Sequence, residues 1–416
     1  MRPPAERRAL TIVLGALVID SIGFGIIMPV MPDLIVELTH APMSAAARIG
    51  GFLLGVFAAM QFVFGPVMGG LGDRFGRRPV ILLSMTAFGL DYLVMGLAPN
   101  LAWLFASRAV AGIAGAIFAP AGAYIADITP PERRAQSFGL VGAAFGIGFV
   151  IGPAIGGLLG GLGTRVPFLV AGGLALLNAA VGVSLLPESL PRERRRPFSL
   201  ARSNPFGTFA ALRRHRGTTT LLVAWFLWML AHQVYPSTWA FFAKLRFGWS
   251  DRAIGASLAY VGTITALAQV FVTRRAIPVL GERRAVLLGM TFGLTGFLGN
   301  AFATRSWMVY AVMTVAAFQG LVYPSLNSTL SRRVAPDEQG ELQGGVASLM
   351  SVAAVLAPVI LSQTLGFFTA PGAPVHFAGA AFVLAGAFTL AAMAIVAWGA
   401  RGAFSGPAKT VAAPFE

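Results

Sequence analysis

The stretch Gly69-Gly70-Leu71-Gly72-Asp73-Arg74-Phe75-Gly76-Arg77-Arg78-Pro79 sets one acid and three arginines among four glycines, between two long apolar runs. Glycine permits a tight turn and close backbone approach, and guanidinium groups beside a carboxylate ask for partners on neighbouring helix ends. The spacing predicts a charged turn between two apolar helices, working as a hinge or latch. The plainer alternative is a solvated basic loop.

Around it, 56% of the 416 residues are hydrophobic and 11% charged, with a mean hydropathy of +0.75. That lies outside the range of soluble domains and points to a polytopic membrane protein. A formal net charge of +15 would suit nucleic acid only if the basic residues clustered on one soluble face, and they do not. The absence of cysteine excludes disulfides, zinc-thiolate sites and thiol nucleophiles. No metal and no cofactor is expected. Arg2, Arg7 and Arg8 before an apolar run superficially resemble a signal peptide. The run is too long, and no small-residue cleavage site precedes a soluble body.

A helix crossing roughly 30 Å of hydrocarbon needs about 20 apolar residues. Twelve such runs are predicted: 9–30, 47–71, 79–98, 101–124, 136–160, 166–186, 218–242, 254–272, 285–302, 307–330, 342–368 and 375–398. With the N-terminus inside, Arg74, Arg77, Arg78, Arg133, Arg134, the stretch 192–216, Arg274, Arg275, Arg283, Arg284, Arg332 and Arg333 face the cytoplasm. The opposite loops keep Arg48, Arg165, Lys244, Arg246 and Arg305, so both termini are expected to be cytoplasmic. The proline- and arginine-rich stretch 188–217 divides a six-helix bundle, 1–187, from a second, 218–400, and a cytoplasmic tail, 401–416, follows. An internal repeat supports duplication. Gly76-Arg77-Arg78-Pro79-Val80-Ile81-Leu82-Leu83 recurs as Gly281-Glu282-Arg283-Arg284-Ala285-Val286-Leu287-Leu288, and Pro131-Glu132-Arg133 faces Pro336-Asp337-Glu338 at the same offset. Gly139 likewise faces Gly344. Parallel halves about an axis along the membrane normal are a known transporter architecture.

The pattern Gly69-x-x-x-Asp73-Arg74-x-Gly76-Arg77-Arg78 resembles the loop between helices two and three of the major facilitator superfamily. Pro29-Val30-Met31-Pro32, Arg108-x-x-x-Gly112 and Gly148-x-x-x-Gly152-Pro153-x-x-Gly156-Gly157 agree, the last with that family's antiporter signature. Asp20 to Pro29, Asp91-Tyr92, the run 123–127 ending in Asp127, and the run 246–249 are similar to the tetracycline/proton antiporter branch. The resemblance implies an all-α integral membrane protein with twelve transmembrane helices in two pseudo-symmetric six-helix bundles. It also implies a monomer in the bacterial inner membrane that exports an amphiphilic drug, tetracycline-like or multidrug, in exchange for protons, a metal–drug chelate being one form of such a substrate.

An ionisable side chain inside hydrocarbon is costly and is a functional candidate by default. Of sixteen acids, only Asp20 and Asp91 lie well inside predicted spans, and Arg108 is the only deep base. An acid near an arginine in a wet cavity can load and release a proton; the bland alternative is a buried pair that only locks helices together. By resemblance helices one and four face the central cavity, which favours Asp20 and Arg108 over Asp91 for coupling. Polar residues Gln61, His232, Gln233, Gln269, Gln319 and Asn327 are candidates to line that cavity, and Phe24, Phe118, Trp225, Trp228 and Trp239 to stack on a planar drug. His232 serves equally well as a hydrogen-bonded packing residue. Gly142, Gly146, Gly148, Gly152, Gly156 and Gly157, with Pro153, form a small-residue strip for close helix approach.

For the opening loop, the resemblance implies a cytoplasmic latch. Asp73 would cap the eleventh helix near Gly340 and Glu341, and Arg77 would pair with Asp127, with Arg133 or Arg134 joining. Two departures matter: where the tetracycline branch has a histidine in helix eight and an acid in helix nine, this chain aligns Thr265 and Gly293. The repeat places Gly296 opposite Asp91 and Met313 opposite Arg108, which confines proton chemistry to the first half. A nutrient symporter or facilitator is the competing transporter reading, against the helix-five signature. A membrane-embedded enzyme would need a nucleophile, a metal set or paired carboxylates with partners, and the chain offers no such set.

Overall fold

The computed structural model describes residues 4–115, 118–198, 218–335, 338–399 and Phe404. Arg2, the linker from 199 to 217, Pro336, Asp337 and the tail except Phe404 lie outside the described residues, as do the side chains of Arg7, Arg8 and Phe118.

The described residues form helices throughout: α1 (Pro4–Ile27), α2 (Met31–Thr39), α3 (Met43–Phe75), α4 (Arg77–Leu97), α5 (Leu101–Ala114), α6 (Phe118–Ile128), α7 (Arg134–Gly160), α8 (Val166–Leu185), α9 (Thr219–His232), α10 (Val234–Phe247), α11 (Asp251–Ala268), α12 (Arg274–Leu280), α13 (Glu282–Phe302), α14 (Ser306–Ala316), α15 (Val322–Ser331), α16 (Gln339–Phe368) and α17 (Ala380–Ala394). Ten continuous helical runs among them are long and apolar enough to cross a membrane. With no water in hydrocarbon, helices satisfy every backbone group internally, which is why a chain this apolar folds so.

Several predicted spans are interrupted. The seventh breaks at Gln233 between α9 and α10, the eighth widens into a π-turn over Gln269–Thr273 before α12, and the tenth tightens into a 3₁₀ turn over Ala317–Leu321. The opening loop is shorter than expected. α3 runs on to Phe75, α4 starts at Arg77, and the turn falls on Gly76 alone, at φ +107°. Its counterpart in the repeat, Gly281, also has positive φ, +73°, between α12 and α13. Left-handed backbone of this kind favours glycine, so the duplication extends to backbone conformation.

The chain forms two compact units that are not contiguous in sequence: 1–205 with 235–263 and 354–378, and 206–234 with 264–353 and 379–416. In the first, Leu10, Val13 and Leu17 of α1 meet Ile81 and Met85 of α4, Tyr124 and Ile125 of α6, Ala144 of α7 and Ala179 of α8. α10, the start of α11 and the end of α16 complete this unit. In the second, α13 is the hub, packed by α14, α15 and α17.

Candidate functional site

Arg108 reaches the interior because Gly112, one turn further along α5, lets that helix approach the α3 backbone; a Cβ there would collide with the Phe57 carbonyl and Met60. The guanidinium then lies 5.3 Å above the Phe57 ring and pairs with Asp91 of α4. Both side chains are buried. The acid that meets Arg108 is thus Asp91, the one ranked below Asp20 for coupling. Phe57, Phe88 and Tyr92 form a run of aromatic rings at 6.3–6.4 Å centroid spacing, and the Tyr92 ring abuts α1 at Gly23. Asp20, on α1, instead meets Asn178 of α8: the amide donates to Asp20 Oδ1 at 3.4 Å and to the Ala16 carbonyl at 3.1 Å. The other carboxylate oxygen, Oδ2, is buried without a hydrogen-bond partner among the described residues. Asn178 escaped the sequence reading; the one signal was a single amide inside an otherwise apolar span.

A cavity in the first unit is lined by Phe24, Met28, Met31, Leu53, Tyr235, Trp239, Phe241 and Arg108. Phe24 stands one helical turn from Asp20. Trp239 is buried, and its Nε1 donates to Ser257 Oγ at 3.0 Å. The surface offered to a ligand is therefore largely apolar, with aromatic, thioether and aliphatic groups and one cation. Gln61 does not line this cavity; its amide donates to the Gly115 carbonyl at 2.9 Å and ties α3 to the end of α5.

The second unit carries the remaining polar candidates. The His232 ring lies 5.9 Å from that of Trp228, tilted by 53°, Gln233 marks the α9–α10 break, Gln319 sits in the 3₁₀ turn with Oε1 unpartnered among the described residues, and Asn327 accepts from Gln343 at 2.9 Å. Trp225 packs edge-on against Tyr323. Trp228 lies directly over Gly293, so that a Cβ at this position would strike its indole. The space beside Gly293 is filled by an aromatic ring. Gln269 lies in the π-turn, near Gly320 of the 3₁₀ turn, and Thr265 stands a turn earlier on α11.

α7 supplies the small-residue seam. Cβ atoms at Gly148, Gly152 and Gly156 would run into Ser21, Ile22 and Ile26 of α1, and one at Gly157 into Asp251 at the start of α11. Pro153 touches Gly25 on one side and Gly255 on the other. Gly142 and Gly146 have nothing within 4 Å and are not part of the contact. Gly156→Ala is therefore expected to cost about 1–3 kcal/mol by overpacking and to lower the yield of monodisperse protein in detergent, while Gly146→Ala leaves the yield unchanged.

At the loop end, Arg77 binds Asp73 at 2.5 Å and approaches Asp127 at 3.6 Å. Arg74 lies over the Phe75 ring, Gly69 falls within α3, and Arg133 ends a 3₁₀ turn before α7. Asp73 is engaged by Arg77, while Gly340 and Glu341 begin α16 in the second unit. Glu188, not foreseen, caps α4: its carboxylate accepts from the backbone N–H of Arg77 at 2.9 Å and from Ser189 and Leu190. Arg196 N–H donates to the Asp73 carbonyl, and Tyr124 to the Pro187 carbonyl, so residues 187–196 strap across the turn. Glu188→Ala is expected to cost about 1 kcal/mol, as lost N-caps do, and to speed tryptic cleavage between Arg192 and Arg196. The repeat preserves the ion pair with signs exchanged. Glu282 stands where Arg77 does and Arg332 where Asp127 does, and the two pair, supported by Ser328 and Thr329 hydroxyls at 2.6 Å.

A family model described as the Major Facilitator Superfamily matches residues 13–358. The chain belongs to the Major Facilitator Superfamily. It is a membrane transporter of small molecules, not an enzyme. Tetracycline resistance protein, class C, of Escherichia coli is 41% identical over 357 residues, 86% of this chain and 89% of that one. The class G protein of Vibrio anguillarum is 38% identical over 348 residues, 82% and 86% of the two chains. Among solved structures, the human organic anion transporter MFSD10 (TETRAN) aligns with a TM-score of 0.70 at 23% identity, covering 95% of this transporter and all of that chain. A bacterial homolog of the human lysosomal transporter Spinster, inward-facing and unoccupied, gives 0.72 at 18% identity, covering 97% and 98%. These two likenesses establish the fold.

Proposed function

We propose that this transporter exports an amphiphilic, planar drug from the bacterial cytoplasm in exchange for protons, by rocking of two six-helix halves about a midplane site. The observation that carries this reading is Asp20: a carboxylate on α1 with one oxygen held by Asn178 and the other buried and unpartnered among the described residues, one turn from the aromatic cavity. Such a group accepts a proton without breaking an ion pair. Asp91, engaged by Arg108, does not have that freedom. The tetracycline resistance relatives support drug export. The substrate is read as an amphiphile other than a metal–tetracycline chelate, because Gly293 and Thr265 replace titratable groups and Trp228 occupies the space beside Gly293. The bacterial inner membrane, cytoplasmic termini and a monomeric state complete the proposal. A drug-susceptibility panel in an efflux-deficient host, tetracycline included, tests it: resistance to planar amphiphiles with little to tetracycline is expected, and resistance to none overturns it.

A further inference from the structure

Charge is distributed unevenly around the aromatic cavity. The cavity holds about 650 Å³ of empty space, open solvent at its mouth included, which is the size of site that takes a drug-sized molecule. Among the described residues its wall has one charged group, Arg108, and no carboxylate. Asp91, the partner of Arg108, does not line it. The ion pair therefore turns its positive end to the cavity and keeps its negative end behind. The Arg108 side chain is only 4% exposed, Phe57 covers one face of the guanidinium, and Nε is buried with no hydrogen-bond partner among the described residues. A guanidinium carries five N–H donors in one plane, and a single carboxylate takes two of them at best. Asp91 alone does not use them up.

A buried donor left without an acceptor costs free energy, and a ligand that brings the acceptor recovers it. An anionic oxygen recovers most, because a charge-assisted hydrogen bond is stronger than a neutral one and water is excluded here. A cationic ligand fares worse. Ring faces attract cations, and Phe24, Tyr235, Trp239 and Phe241 line the same wall, but the like charge of Arg108 repels them across a dry gap. We propose that the cavity selects planar aromatic compounds bearing an ionised acidic oxygen, a carboxylate or a phenolate, which Arg108 binds in the plane of its guanidinium while the rings and the Met28 and Met31 thioethers take the apolar body. The cargo is then a weak organic acid. This assignment rests on the cavity being the drug site of the proposed function, and on no role for Asp20.

Three anthracenes that differ in one group test it: anthracenecarboxylate, the neutral anthracenecarboxamide and the cation aminomethylanthracene. Equilibrium dialysis at neutral pH against the full chain in phosphatidylcholine nanodiscs, with protein-free nanodiscs subtracted, reads their affinities. The unaltered chain is expected to bind the carboxylate about tenfold more tightly than the carboxamide, and the amine most weakly. In the double variant Asp91→Asn with Arg108→Gln, its folding checked by thermal midpoint, the carboxylate is expected to fall to the level of the carboxamide, whose own affinity is little changed. Phe24→Ala is expected to weaken all three alike, which locates them in this cavity whether or not the double variant folds. Carboxamide or amine bound as tightly as the carboxylate by the unaltered chain, a carboxylate preference kept in the folded double variant, or carboxylate binding untouched by Phe24→Ala each overturns the assignment. A drug panel showing no export alongside an intact carboxylate preference would sink the proposed function alone, and export of amphiphiles with the amine bound best would sink the assignment alone.

Discussion

Everted vesicles carrying the Asp20→Asn protein are expected to show no drug-induced proton release, against a clear release from the unaltered transporter. Asparagine keeps the volume and the hydrogen bond to Asn178, so packing survives and only the titrating function goes. The carboxylate oxygen that would take the proton, Oδ2, lies buried without a hydrogen-bond partner among the described residues. Asn178→Ala is the companion variant. It removes the donor to Asp20 Oδ1 and to the Ala16 carbonyl but leaves the carboxyl group in place. Its expected signature is a displaced pH profile with export retained, which a merely structural role for Asn178 would not produce. Proton release unchanged in Asp20→Asn would remove Asp20 from the coupling mechanism.

The second large effect concerns stability. Removing one partner of the Arg108–Asp91 pair leaves an uncompensated buried charge, which costs about 3–5 kcal/mol. Asp91→Asn and Arg108→Gln are each expected to reduce folded protein in the membrane severely and to lower the thermal midpoint in detergent. The double substitution removes both charges together and is expected to recover most of that stability. Transport then separates two roles. Recovery of export along with stability means that the pair is a lock between α4 and α5. Stable protein that binds drug but does not export it means that Arg108, which also lines the aromatic cavity, acts in transport.

Much of the architecture was legible because lipid leaves a chain few options: long apolar runs must be helices. The opening stretch was legible as a family signature, yet its local structure was misjudged. Four glycines suggested a loop, whereas only Gly76 leaves the helix, because glycine inside a well-packed helix costs little when neighbours need the space. The breaks at Gln233, Gln269–Thr273 and Ala317–Leu321 each hold a glutamine, which sequence reasoning took as a cavity candidate and not as the mark of an interrupted helix. Asp20, Asp91 and Arg108 stood out by the cost of burying charge, but which acid meets Arg108 depends on helix rotation, and that is set by packing at Gly112. The ion pairs of Lys244 with Asp33 and Asp251 were passed over for the opposite reason. Near span ends, charges are ordinary, and nothing in one dimension says that three of them converge.

Trp228 over Gly293 has a consequence for how such a protein can change. A carboxylate restored at this position by Gly293→Asp would be driven into the indole, so the single substitution is expected to harm the protein before it can confer anything. Exchanging Trp228 for a smaller residue first would leave a void beside a bare glycine. Gly293 and Trp228 are therefore coupled: each substitution alone is expected to lower stability, and the two together less than their sum.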